Sequence, residues 1–487
     1  MKILLASSES LPYSKTGGLG DMTGALGKFL ARAGHQVGLV TPLYRGLRER
    51  FAEIQPFDWQ LDVPLGPRRV SGRVWSRESP PGLTTYFIDQ PEFFDRSGLY
   101  QEGGVDYPDN AERFIFFAKA VVHLARYLPW QPELLHLHDW QSALAALFVR
   151  EQKEHDGWSA APVTCLTIHN LAFQGLFPAA QYGLTNLPLA YLQPEGAEFY
   201  GGFNCLKAGI AYADIITTVS PRYAREITTE AFGCGLDGVL RRRQHVLRGI
   251  LNGVDYDEWK TEKNPYLAQS YSAADLHGKM ACKAALQREM GLPEAPRVPL
   301  FGTVTRLSEQ KGVDLQLAAL QEMLAADMQF VLLGSGEREY ERGYRKLAAM
   351  YPGKCAVRIG FDTGLSHRVE AGCDFYLMPS RFEPCGLNQM YSLRYGAIPI
   401  VRRTGGLDDA VVDAGEDGAR ADGIKFGEYT VRALAKAMRK ALVLYDDPAL
   451  VEHYRRNGMA KDFSWERTAA AYKELYLPLL QPVAPVF

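Results

Sequence analysis

MKILLASSESLPYSKTGGLGDMTGALGKFL, residues 1–30, decides the fold. The apolar run KILLAS (2–7) leads into a glycine-rich turn, and the turn runs into a segment with helical patterning. A buried strand, a glycine turn and a helix make the first unit of a parallel α/β sheet. A glycine turn at a helix N-terminus also suits an anion. Neither common phosphate fingerprint is present. Residues 9–16 read ESLPYSKT where the Walker A pattern is required, and the dinucleotide pattern counted from Gly18 meets Thr23 instead of glycine. What remains is physical. Gly17, Gly18 and Gly20 let backbone N–H groups approach an anion, Lys15 adds a positive charge, and Asp21 is placed to cap the helix. The alternative is a plain tight turn.

Outward from this unit, short apolar runs alternate with helical stretches. In the first half they are VGLVTP (37–42), TTYFID (84–89), LLHLHD (134–139), VTCLTIHN (163–170) and IITTVS (215–220). In the second half they are PLFGTVTRL (299–307), FVLLGSG (330–336), AVRIGF (356–361), FYLMPS (375–380) and AIPIVRR (397–403). Two such series predict two doubly wound α/β domains. The first spans 1–245 and is completed by a C-terminal helix at 463–487; the second spans 246–462. In doubly wound sheets, ligands sit beyond the carboxyl ends of the strands. TGGLGD, HLHDW, TIHN, TRLSEQKG, GSGE and SRFEPCG all follow strands, which predicts one cleft between the domains.

The bulk composition excludes several classes. Of 487 residues, 47% are hydrophobic and 23% charged, and the formal net charge of -2 gives no reason to expect nucleic acid or an anionic membrane as partner. No apolar run reaches the length of a membrane span, and MKILLASSES lacks the long apolar core of a signal peptide. Seven scattered cysteines with no C-x-x-C pair suit reduced thiols, so a cytoplasmic protein without a structural zinc site is expected.

The polar clusters carry the chemistry. Arg306 and Lys311 flank a helix start after a strand, which suits a diphosphate; two surface cations are the bland alternative. Ser308 between them is placed as an N-cap. Glu383, between an aromatic and a proline, can accept bonds from two vicinal sugar hydroxyls. The amides of Cys385, Gly386 and Leu387 at the next helix start can hold hydroxyls or phosphate. Cys385 has no base partner in the sequence, so it reads as a packed thiol. His136 and His138 share a strand face, but a metal needs a third ligand, and none is expected. Asp139 and His169, each at a strand end, face the same region. No carboxylate pair has the spacing of a glycosidase.

Taken in order, KTGGLGD, HLHDW, TIHNLAFQGLF, VSPRYAREI, LNGVD, TRLSEQKG, PSRFEPCGL and RRTGGL resemble the bacterial glycogen synthase and starch synthase family over residues 1 to about 475. The resemblance implies the GT-B fold, with two Rossmann-like domains facing across a deep cleft. It implies retaining transfer of glucose from ADP-glucose to the 4-OH at the non-reducing end of an α-1,4-glucan. No metal and no cofactor are implied. By the same resemblance, Lys15, Gly18 and Asp21 reach the nucleotide sugar, and Arg306 and Lys311 clamp the diphosphate. Glu383, with the backbone of Cys385, Gly386 and Leu387, holds glucose hydroxyls. His169 lies near the glucose 6-OH and anomeric centre, Asn252 is on the sugar side, and Asp139 is on the acceptor side. Phe361 stands where the family usually has a tyrosine stacked on adenine. Asn388 and Met22 replace the usual Thr and Val. The rival readings are a GT-B relative using UDP-glucose, a non-catalytic glucan-binding protein and a nicotinamide dehydrogenase; the last lacks its fingerprint. Homo-oligomerisation is left open.

Overall fold

The computed structural model describes residues 1–480; positions 481–487 of the expected closing helix lie outside the described residues. The chain divides into two units. The first comprises Met1–Val219, Ala224–Ile250 and the described residues from Trp465 on; the second comprises Ser220–Tyr223 and Leu251–Ser464.

The first unit is built on a nine-stranded sheet. In chain order its strands are β1 (Lys2–Ala6), β2 (Gln36–Pro42), β3 (Gln55–Leu65), β4 (Arg68–Glu78), β5 (Leu83–Asp89), β6 (Leu134–His138), β7 (Val163–Ile168), β8 (Ile215–Thr218) and β9 (Leu247–Gly249). They lie in the order β9-β8-β7-β6-β1-β2-β5-β4-β3. Leu5 of β1 stands opposite Leu39 on one side and His136 on the other, both in parallel register. Strand β9 belongs to this sheet, so the division falls after Ile250 and not at 245.

The second unit carries a wholly parallel sheet. Its strands are β10 (Leu300–Leu307), β11 (Gln329–Gly336), β12 (Cys355–Ile359), β13 (Phe375–Met378), β14 (Ile398–Arg402) and β15 (Ile424–Phe426), ordered β12-β11-β10-β13-β14-β15. Alternate residues of one strand enter different cores: Phe330 and Leu332 pack on one face, Val331 and Leu333 on the other. That double burial is why these strands read as continuous apolar runs.

Every apolar run read as a strand is one. The apolar runs do not include the short strands β9 and β15 or the pair β3 and β4. Both are antiparallel, and β3 is the edge strand, with Pro56 and Pro64 and alternating burial at Leu61, Val63 and Leu65. Edge position and a solvated face explain both the prolines and the alternation.

The helix Trp465–Leu480 packs within the first unit. Trp465, Ala469, Tyr472 and Tyr476 enter the core of Ile3, Leu5, Leu26 and Phe29, and Trp465 stacks on Phe29 at 6.3 Å. Among the described residues no helix is long and apolar enough to cross a membrane.

Candidate active site

Each sheet reverses its winding once, and ligands of such sheets bind at that point. In the second unit the chain winds outward from β10 through β12, then returns to β13 beside β10. The segment TRLSEQKG (305–312) closes β10 and forms the loop after it, and PSRFEPCG (379–386) is the loop after β13. Lys311 from the first places its Nζ 2.6 Å from Glu383 Oε2 of the second. Glu383 is 5% exposed and also accepts a bond from Ser380 Oγ at 3.1 Å. Gly312 makes the approach feasible. Its φ is +69°, and a Cβ there would lie 2.0 Å from the Pro379 carbonyl. Behind Glu383, the Gly406 N–H donates to the Glu383 and Pro384 carbonyls, and a Cβ on Gly406 would lie 1.9 Å from the Cys385 carbonyl. The TGG of the loop after β14 therefore backs the site by close approach, a role its sequence did not reveal.

Arg306 stands exposed at the end of β10 and forms no ion pair among the described residues. Lys311 is neutralised by Glu383, so Arg306 carries the unopposed charge. The α-helix after this loop starts at Val313, capped by Gly312, while Ser308 precedes only a short 3-10 turn and caps nothing with its side chain. Cys385 is buried, its thiol is pushed up to about 12 by desolvation, and the backbone amide of Asn252 bonds to it. It is a packed thiol. Asn252 is itself buried, with its Oδ1 lacking a partner among the described residues. Gly386 has φ +72°. The amides of Cys385, Gly386 and Leu387 donate to no group among the described residues. Asn388 Nδ2 donates to the Val304 carbonyl at 3.0 Å and to Tyr376 Oη at 2.7 Å, fixing this helix start between β10 and β13. Phe361, just past β12, offers an 88% exposed ring.

In the first unit the reversal lies between β1 and β6. The glycine turn follows β1 and Asp139 follows β6. The helix Gly18–Arg32 begins at Gly18 with Gly17 as its cap, so Asp21 lies inside the first turn and is no N-cap. Asp21 instead pairs with Lys15 at 2.7 Å, and burial raises its carboxyl despite that lysine. A Cβ on Gly17 or Gly18 would meet nothing within 4 Å, so packing does not explain these two glycines. Open space beside the backbone is what a closely approaching ligand needs.

His136 is a satisfied core histidine. Its Nε2 meets Thr167 Oγ1 at 2.6 Å, and its Nδ1 meets Tyr476 Oη at 2.7 Å. His138 Nδ1 lies 3.2 Å from His169 Nε2. Burial lowers His136 and His169 to about 3 and holds His138 well below the usual imidazole range, so all three rings are neutral near pH 7. Among the described residues no three His, Cys, Asp or Glu are grouped to hold a metal. Asp139 sits at φ +56°, a conformation costly for a non-glycine residue and frequent at functional sites. Its Oδ1 accepts the His169 amide at 2.7 Å.

Burial raises the Asp139 carboxyl to about 7. The unfolded chain releases this proton near the ordinary value of about 3.9. The folded state is therefore weakened progressively as pH rises from there towards about 7, because only the folded state still holds the proton. Asp139→Asn keeps an oxygen for the His169 amide and tolerates left-handed backbone. Thermal melts should show its stability margin over the parent growing from about pH 4 to about pH 8. An equal margin at both ends would contradict the assignment.

The family described as starch synthase catalytic domain matches residues 2–242, and that described as glycosyl transferases group 1 matches residues 289–459. The glycogen synthase of Anaeromyxobacter dehalogenans strain 2CP-1 is 49% identical over 481 residues, covering 98% of this chain and 99% of its own. That of Opitutus terrae is 45% identical over 477 residues, with 98% and 99% covered. Among solved structures, the catalytic domain of starch synthase IV from Arabidopsis thaliana, bound to ADP and acarbose, matches with a TM-score of 0.88 at 32% identity, covering 98% of this chain and 99% of that one. Sucrose-phosphate synthase from Thermosynechococcus elongatus matches with a TM-score of 0.60 at 20% identity over 98% of both chains, a likeness of fold alone.

Proposed function

We propose, from the premise that this chain belongs to the glycogen synthase and starch synthase family of glycosyltransferases, that it moves glucose from ADP-glucose to the 4-OH at the non-reducing end of an α-1,4-glucan, with retention at the anomeric carbon and release of ADP. Family membership bears out the resemblance read from the motifs, and the GT-B fold class with it.

The observation that carries it is the Lys311–Glu383 pair at the winding reversal, with the exposed Arg306 five positions before Lys311 at the end of β10. Binding glucan alone needs no cations there. A diphosphate leaving group does, because its charge grows as the bond to the sugar breaks, and fixed cations favour that state over the intact donor. Arg306 and Lys311 take the diphosphate. Glu383 accepts from two glucose hydroxyls, and the amides of Cys385, Gly386 and Leu387 present donors next to it. Asn252 offers its unpartnered Oδ1 on the sugar side, and Phe361 stacks on the adenine face. In the first unit Lys15, Gly18 and Asp21 contact the nucleotide sugar, neutral His169 lies at the glucose, and Asp139 is on the acceptor side.

In the reaction the bond between the glucose anomeric carbon and the diphosphate oxygen breaks. The acceptor oxygen bonds to that carbon on the face being vacated, and its proton passes to the departing phosphate. No metal or cofactor takes part in this scheme, and the cytoplasm is its setting.

The test is glucose transfer to glycogen from ADP-glucose and from UDP-glucose, side by side in EDTA. Strong incorporation from ADP-glucose alone is expected. Incorporation from UDP-glucose would move the donor assignment. Transfer from neither would leave a non-catalytic glucan-binding protein.

A further inference from the structure

Glu9 carries no pattern in the sequence, yet it is the most heavily bonded carboxylate of the glycine turn. It is 3% exposed. Its Oε2 accepts the amides of Thr16 at 2.5 Å and Gly17 at 3.3 Å. Its Oε1 accepts Thr16 Oγ1 at 2.6 Å and Tyr100 Oη at 2.8 Å. Its own carbonyl accepts Thr23 Oγ1 at 2.6 Å, from the helix that the turn begins.

These donors are the ones that a glycine turn before a helix offers to an anion. Here the chain's own carboxylate takes them. A diphosphate therefore cannot share the Thr16 and Gly17 amides, and ligand contact in this turn falls to the half-exposed Lys15 and to Gly18, where a Cβ would meet no described atom within 4 Å. Tyr100 continues the network. Its hydroxyl also meets Ser8 Oγ at 2.7 Å, its ring lies 5.8 Å from Phe114, and Phe114 meets Trp140 edge-on at 4.9 Å. Trp140 adjoins Asp139, whose carboxyl the Glu9 charge helps to raise.

We propose that Glu9 is a positioning residue: it fills the anion seat of the glycine turn, sets the backbone from which Lys15 and Gly18 reach the donor, and ties that turn through Tyr100 to the Asp139 end of β6. The inference rests on the proposed glucosyl transfer. It needs no contact between Glu9 and substrate, and Lys15, the cation of the turn, meets the ligand from its ion pair with Asp21.

The test is Glu9→Ala in the full chain, with kcat, the KM for ADP-glucose and the KM for maltooligosaccharide measured with and without added formate. Calorimetric binding of ADP is measured alongside. Misplacing the turn should lower kcat/KM for the donor by roughly 100-fold. Formate should enter the vacated seat and recover activity several-fold in the variant while leaving the parent unchanged, an effect that a merely destabilised fold would not show. Two outcomes overturn the proposal: donor kinetics within about twofold of the parent, or a loss that formate does not relieve in a variant that still melts cooperatively. If Glu9→Ala does not fold, Glu9→Gln and Tyr100→Phe decide. A raised donor KM in both is expected, and parental values in both overturn it. An inactive parent protein would instead count against the transfer reading itself.

Discussion

Lys311→Ala is expected to lower turnover at saturating donor by roughly 100- to 1,000-fold, the usual cost of removing one preorganised group from a developing oxyanion, about 2.7–4 kcal/mol. Two effects combine. The departing diphosphate loses a fixed cation, and Glu383, 5% exposed, loses the amine 2.6 Å from its Oε2. Leaving one partner of such a pair behind costs more than the pair itself contributes. The variant should therefore also melt below the parent. The double variant Lys311→Ala with Glu383→Gln should regain part of that melting loss but none of the turnover, which separates the two effects. Near-normal turnover of Lys311→Ala at saturating donor would sink the clamp assignment.

Glu383→Gln should be nearly as damaging, by a different route. The amide keeps the volume beside Ser380 and above the Gly405–Gly406 backing, so the loop retains its course. It loses the charge that faces Lys311 and one of the two oxygens available to sugar hydroxyls. A site built to bond hydroxyls suffers strongly when its buried polar groups go unpaired. The expected result is a loss of roughly 100-fold or more in kcat/KM for the donor, while ADP as a competing ligand binds within about twofold of the parent, since Arg306 and Lys311 remain. If ADP binding falls together with transfer, Glu383 is holding the cations in place and not the sugar.

The parallel strands were legible because both of their faces are buried, which writes them as unbroken apolar runs such as KILLAS and FVLLGSG. The edge hairpin β3–β4 was not, because one face is solvated and Pro56 and Pro64 mimic loop chemistry. Asp21 was misread as a cap because a side chain placed to cap a helix can equally pair with a nearby lysine. The choice depends on where the first helical turn begins, and that is Gly18.

By itself the sequence determined the two-unit α/β class, the loops that bear the polar clusters, and the family, since each follows from local pattern and from motif order along the chain. Only the tertiary structure decided which of those loops meet. The winding reversal brings TRLSEQKG beside PSRFEPCG and pairs Lys311 with Glu383 across 72 positions of chain. It also showed that His136 is spent on Thr167 and Tyr476, that the TGG after β14 is a backing for Glu383, and that Glu9 fills the seat the glycine turn would offer an anion. The reason is physical. A buried polar group must find its partners wherever the fold places them, and those partners lie 31, 340, 23 and 7 residues away here, beyond the reach of any local pattern.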